Sequence, residues 1–185
     1  MKVAREDIVK AARELFRQYG YAGASMQALA TNVGLKKASL YMRFENKEAL
    51  VPEVMSLTLA ETFDDPALEN PDWRIAYAAA LQGISSGLIE SKRCVGLHLA
   101  YGVTDETPEA REAVRDFFLG SRKRLQDILA IGVGAELAEQ MATDALLRLE
   151  GATLWLATMG DQAPMNRAVK ALIAEAEAAT VNAGS

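Results

Sequence analysis

The chain has 185 residues, half of them apolar and about a quarter charged, with a formal net charge of −5. This length supports one sizeable core, or a small domain fused to a larger one, and the composition is that of an ordinary globular protein. Cys94 is the single cysteine; it excludes an internal disulfide and any cysteine-based zinc cluster within one chain, so no metal or other cofactor is expected.

Met1 to Asp7 runs straight into charged helix, which reads as the absence of a secretory leader. Ile8, Ala12, Leu15, Phe16 and Tyr19 then follow a helical repeat, predicting an amphipathic helix over residues 4–19 that stops at Gly20. Ser25 is placed to cap a second helix whose inner face is Met26, Leu29, Ala30 and Val33. Gly34 breaks the chain for only two or three residues. A third short helix follows over 36–44, with Leu40 and Phe44 one turn apart, and Asn46 can cap a fourth over 47–63.

A turn-rich link from Asp64 to Pro71 leads to predicted helices at 72–90, 93–102, 108–131, 136–159 and 164–179. Asn70-Pro71 and Thr107-Pro108 match a cap followed by proline at the first helical position. No segment alternates with period two, so the fold class is all-α with about nine helices. The most apolar stretch, Ala76 to Ile89, is broken by Gln82, Ser85 and Ser86. It falls short of the roughly 20 apolar residues of a membrane span, so a cytoplasmic protein without membrane contact is expected.

The charge is unevenly spread. Residues 1–50 hold nine Lys/Arg against five Asp/Glu, a net +4, which leaves −9 on the remainder. A basic head on an acidic body is the footprint of a nucleic-acid-binding module joined to something that avoids nucleic acid. Two short helices joined at Gly34, the second presenting Lys36, Lys37, Ser39, Tyr41, Met42 and Arg43, fit a DNA-reading helix-turn-helix. Such side chains donate to phosphates and guanine edges, stack, and touch thymine methyls.

The order Ala11-Ala12, Leu15-Phe16, Gly20-Tyr21, Ser25-Met26, Leu29-Ala30, Val33-Gly34, Ser39-Leu40-Tyr41, Phe44 and Lys47-Glu48-Ala49-Leu50 resembles the N-terminal domain of the TetR (tetracycline-repressor) family. The resemblance implies an all-α homodimer: a helix-turn-helix domain over 1–47 and a helical ligand-binding and dimerisation domain over 48–185. It further implies that Ser25 and Lys47 meet phosphates, while Lys36, Lys37, Ser39, Tyr41, Met42 and Arg43 line the recognition helix. The implied partners are a double-stranded, palindromic DNA operator, a second copy of the chain and a small-molecule effector. Three positions depart from the family pattern. Lys36 stands where Ser or Thr often caps, Ala38 replaces a common Gly, and Met42-Arg43 replace residues that are often aromatic or His. Lysine cannot cap through a side-chain acceptor and lies badly beside a positive helix end, a conflict that a nearby phosphate would relieve.

In the body, one apolar stripe runs Leu137, Met141, Ala145, Leu149, Ala152, Leu156, Met159 and another Met165, Val169, Leu172, Ile173, Ala176. By the resemblance these final helices pair with their twofold mates, making Leu149, Ala152, Leu156, Val169 and Leu172 the candidate dimer contacts. Met55, Trp73, Tyr77, Leu81, His98, Tyr101 and Phe117 are candidate lining of an effector cavity, whose composition points to a small apolar or aromatic ligand. Cys94 follows Lys92-Arg93 in the first turn of a predicted helix with His98 one turn on. That setting stabilises a thiolate, so the alternatives are an electrophile- or oxidant-sensing thiol and an inert buried one. Catalytic motifs are missing: there is no HExxH, GxSxG or P-loop, and Gly132-Val133-Gly134 lacks the third glycine of a dinucleotide fingerprint. The reading is therefore a ligand-responsive DNA-binding repressor, not an enzyme. The alternatives are a thiol-sensing repressor using Cys94 and a helical interaction module without DNA binding.

Overall fold

The computed structural model describes residues 3–183, with side chains to residue 180, and within them the chain forms nine α-helices, one short 3-10 helix and no strand. The all-α expectation holds. The helices are α1 (Arg5–Gly23), α2 (Met26–Asn32), α3 (Lys37–Tyr41), α4 (Leu50–Thr62), α5 (Trp73–Ser91), α6 (Val95–Ala100), α7 (Pro108–Val133), α8 (Ala135–Met159) and α9 (Ala163–Ala183), with the 3-10 helix at Pro66–Glu69. Among the described residues no helix is long and apolar enough to cross a membrane.

The chain divides into two compact units: residues up to 59 with 94–118, and residues 60–93 with those from 119 onward. The first unit holds α1, α2, α3, α6, most of α4 and the opening turns of α7. It is larger than the three-helix head delimited at residue 47. Ile8, Ala12 and Phe16 bury one face of α1, against Leu29, Leu40, Phe44, Leu50 and Val54, all nearly inaccessible. Each fully buried aliphatic or aromatic side chain of this kind contributes about 1.5–3 kcal/mol, so this small head has a core of its own. The α1 helix is broken at Gly20 (φ 66°) where its periodicity ends, and α6 packs along it.

The second unit packs α5 against α8 and α9, which also pair with each other. Its core draws Trp73, Tyr77 and Leu81 from α5, Leu125 and Leu129 from α7, Leu149 and Leu156 from α8, and Met165 and Leu172 from α9. Two expected caps are displaced. Asp72, not Asn70, caps α5, accepting from the Arg74 N–H at 3.0 Å. Thr107 turns its hydroxyl back to Thr104, and the start of α7 is capped instead by Glu48.

Candidate nucleic-acid interface and effector cavity

The helix-turn-helix is built by local chemistry. Ser25 Oγ accepts from the Ala28 N–H at 3.1 Å and so caps α2. Two turns later the helix is closed by paired backbone bonds, Leu35 N–H to Ala30 C=O at 2.8 Å and Gly34 N–H to Thr31 C=O at 3.2 Å. This left-handed stop needs a residue at positive φ, and Gly34 sits at φ 69° without strain. The chain is thereby turned directly into α3, which Leu40 and Phe44 pin to the core, 0 % and 2 % exposed.

Pinning that face leaves the other free. Lys36, Lys37, Tyr41 and Met42 are exposed, Met42 at 89 %, and Ser39 is half-buried. Lys37 Nζ lies 5.8 Å from the Tyr41 ring centre. Lys36 occupies the cap position with no side-chain hydrogen bond, the unfavourable placement its sequence position implies. Ser25 is exposed as well.

Two expected DNA contacts are engaged elsewhere. Lys47 Nζ donates to the Tyr21 and Ala24 carbonyls at 2.5 and 3.1 Å and lies 4.3 Å from the centre of the Tyr21 ring. A cation is favoured at such a helix C-terminus, and burial lowers the lysine's pKa. The ammonium is thus part of the head's own construction, not an outward phosphate donor. Arg43 Nη1 donates to the Val3 carbonyl at 2.7 Å, so its guanidinium is folded back on the N-terminal arm instead of pointing outward. Arg5, which the sequence did not single out, holds this corner. It bonds the Arg43 carbonyl at 2.9 Å, pairs twice with Glu53, and stacks 4.1 Å from the Phe44 ring centre. Its partners lie 38 to 48 residues away, beyond any local pattern.

Of the expected effector-cavity residues, Met55 and Phe117 come together. They floor a groove of about 480 Å³ in the first unit with Pro52, Leu59 and Ala113, and Ser56, Glu109, Glu112 and Asp116 complete it. Phe117 stacks edge-on against Phe118 and lies so close to Gly96 that a Cβ there would stand 2.8 Å from the ring. Cys94 is buried and caps α6, just before the first turn rather than within it, its Sγ accepting from the Leu97 N–H at 3.4 Å. His98, half-buried, is one turn on. Tyr101 is 85 % exposed beyond the end of α6 and is not among the residues that line this groove. Trp73, Tyr77 and Leu81 are buried in the second unit. Among the described residues the Tyr77 hydroxyl has no hydrogen-bond partner, and burial, reinforced by Glu175, raises its pKa. Among the described residues no three His, Cys, Asp or Glu side chains are placed to hold a metal ion.

The expected dimer contacts also need correction. Leu149, Ala152, Leu156 and Leu172 are 1–7 % exposed in a single chain, and Val169 is half-buried. Their own chain covers them. α8 is apolar on two faces, and the periodicity followed the inner one. The outer one exposes Leu147, Leu154, Trp155 and Met159, with Gly151 between them.

A three-helix head whose exposed third helix follows a glycine-terminated second helix has the layout of a helix-turn-helix. Residues 8–54 match the model of bacterial regulatory proteins of the tetR family. The chain is 25% identical over 181 residues to the tetracycline repressor protein class A from transposon 1721 of Escherichia coli, covering 93% of this chain and 80% of the repressor. It is also 25% identical over 154 residues to YuxN, an uncharacterized HTH-type transcriptional regulator of Bacillus subtilis (strain 168); that match covers 82% of this chain and only 53% of YuxN. The chain therefore spans about half the length of that relative. The fold matches a TetR transcriptional regulator from Legionella pneumophila with a TM-score of 0.81 at 20% identity, over 93% of this chain and 96% of that one. The N-terminal segment is thus similar to the DNA-binding domain of the tetR family of bacterial regulatory proteins, and the fold of nearly the whole chain is that of a TetR transcriptional regulator.

Proposed function

We propose that this chain is a cytoplasmic, homodimeric transcriptional repressor that reads a palindromic DNA operator through α3 and leaves it on binding a small molecule. The observation that carries this reading is the free face of α3, where Lys36, Lys37, Tyr41 and Met42 stand exposed on a helix-turn-helix. The lysines supply phosphate contacts and the Tyr41 ring and Met42 side chain supply contacts to base edges and thymine methyls. A single helix of five residues reads few bases, so affinity calls for two heads. The exposed apolar face of α8 supports a twofold mate. No catalytic step is assigned to the chain.

Effector control follows from where the groove lies. Its Phe117 ring abuts Gly96 of α6, and α6 packs on α1 of the head. A molecule filling the groove presses on that chain of contacts. It lowers operator affinity only if it binds the non-binding conformation better, on the usual coupling scale of about 1–3 kcal/mol. The buried position of Cys94 favours this reading over a thiol sensor, since attack on an electrophile needs an accessible thiolate.

Nuclease footprinting on DNA upstream of the chain's own gene tests the reading. It expects a protected palindrome with half-sites about 34–36 Å apart. Protection without sequence preference, or none, contradicts it.

A further inference from the structure

A helix of five residues such as α3 has too few backbone bonds of its own to be rigid, and an outside donor holds its end. The chain leaves α3 through Met42 and Arg43, and the Arg43 carbonyl accepts from Arg5 Nη1 at 2.9 Å. The other two nitrogens of that guanidinium go to one carboxylate: Nε bonds Glu53 Oε2 at 2.9 Å and Nη2 bonds Oε1 at 2.5 Å. Arg43 bonds in the opposite direction, its Nη1 donating to the Val3 carbonyl at 2.7 Å. Two side-chain-to-backbone bonds thus tie the start of α1 to the end of α3, and Glu53 of α4 sets the plane of the fork that makes one of them. Folding does not call for this arrangement. The Arg5 and Glu53 side chains are 53 % and 36 % exposed, and an exposed ion pair adds little to stability. Phe44, under the Arg5 guanidinium, already pins α3 to the core. What the fork adds is direction, one residue beyond Met42, whose side chain is 89 % exposed.

We infer that Arg5 and Glu53 are positioning residues for sequence recognition: they hold the end of α3 so that Tyr41 and Met42 meet base edges, and they touch no DNA themselves. The inference rests on the reading of α3 as the DNA-reading helix. Base contacts need side chains held to a fraction of an ångström by their surroundings, whereas Lys36 and Lys37 reach phosphates on long flexible stems that tolerate a small shift. Loosening the fork therefore removes preference for the operator and spares binding to DNA in general. Charge alone predicts the opposite sign at Glu53, since removing a carboxylate from the head strengthens attraction to any DNA.

Fluorescence anisotropy of the full chain on operator and unrelated duplexes tests the role, with Glu53→Gln and Arg5→Gln beside wild type. Glu53→Gln is expected to weaken operator binding by about tenfold, the scale of one good base contact, while affinity for unrelated DNA holds or rises. Arg5→Gln is expected to lose operator preference to a similar degree with an unchanged salt slope, because no phosphate contact is removed. Urea midpoints should stay at the wild-type value in both. In the free protein, amide exchange at Met42 and Phe44 should quicken by about threefold or more, a local loosening without global unfolding. Tighter binding of Glu53→Gln to both duplexes overturns the proposal. So does a smaller salt slope in Arg5→Gln, which makes Arg5 a phosphate contact, or a lowered urea midpoint in both variants, which makes the pair structural. Wild type without operator preference removes the reading of α3 and this role with it, whereas a wild-type preference kept in both variants removes the positioning role alone.

Discussion

The carboxylate of Glu48 accepts hydrogen bonds from the backbone N–H groups of Glu109 at 2.8 Å and Ala110 at 3.2 Å, so the start of α7 is capped by a residue 61 positions earlier in the chain. Its neighbour Lys47 satisfies the carbonyls at the end of α1. Two adjacent residues of opposite charge thus seal a helix C-terminus and a helix N-terminus, each on its favoured sign. The segment before α4 is a clasp inside the first unit.

Removing either half of the clasp has a defined cost. Glu48→Ala leaves two helix N–H groups without their charged acceptor and is expected to destabilise the fold by about 1–2 kcal/mol; Glu48→Gln, which keeps an acceptor, loses less. Lys47→Met is expected to cost a similar amount. Urea unfolding measures both. A stability unchanged in Glu48→Ala contradicts the cap.

Tyr77 predicts a pH dependence. Its folded pKa is raised by burial, chiefly, and by Glu175, above the ordinary value of 10.0. Above pH 10 the unfolded chain therefore ionises this phenol while the folded chain keeps it protonated. The folded state then binds more protons, and stability present below pH 10 is lost as pH rises. Tyr77→Phe flattens this alkaline loss. Because the hydroxyl has no hydrogen-bond partner among the described residues, the substitution is also expected to hold or raise stability at neutral pH by about 1 kcal/mol. A Tyr77→Phe protein that is clearly less stable at pH 7 would contradict the unpaired hydroxyl.

Gly132 marks a close approach in the second unit. A Cβ there would overlap the indole of buried Trp73, and neither a packed ring nor a helix backbone yields cheaply. Gly132→Ala is expected to cost about 1–3 kcal/mol and to shift Trp73 fluorescence. A wild-type unfolding midpoint would show that the site repacks freely.

The two faces of α8 separate in solution. Leu154→Glu or Trp155→Glu places charge on the exposed face and is expected to give folded monomers by sedimentation. Leu149→Glu places charge in the chain's own core and is expected to unfold it. Folded monomers from Leu149→Glu would restore the inner stripe as the interface.

The head was legible because its signals are local. Gly20, Gly34, Ser25 and Asn46 each act within a few residues, and the periodicity of Ile8, Ala12 and Phe16 names the buried face directly. What escaped depends on distant partners. Nothing near Arg5 points to Glu53, nor near Glu48 to Ala110, and the outward view of Lys47 and Arg43 overlooked the backbone carbonyls that hold them. The apolar stripes of α8 were visible but ambiguous, since a helix with two apolar faces does not say which one its own chain takes.

The central claim is that the free face of α3 grips DNA, and fluorescence anisotropy across a salt series tests it most directly. With the operator defined by footprinting, wild type should bind specifically, with log affinity falling linearly in log salt. Lys36→Ala/Lys37→Ala should weaken binding to all sequences and reduce the salt slope by about 2, roughly one per lost phosphate contact. Tyr41→Ala should lower the preference for operator over unrelated DNA. A double-lysine variant with wild-type affinity and salt slope would contradict the claim and remove α3 from the interface.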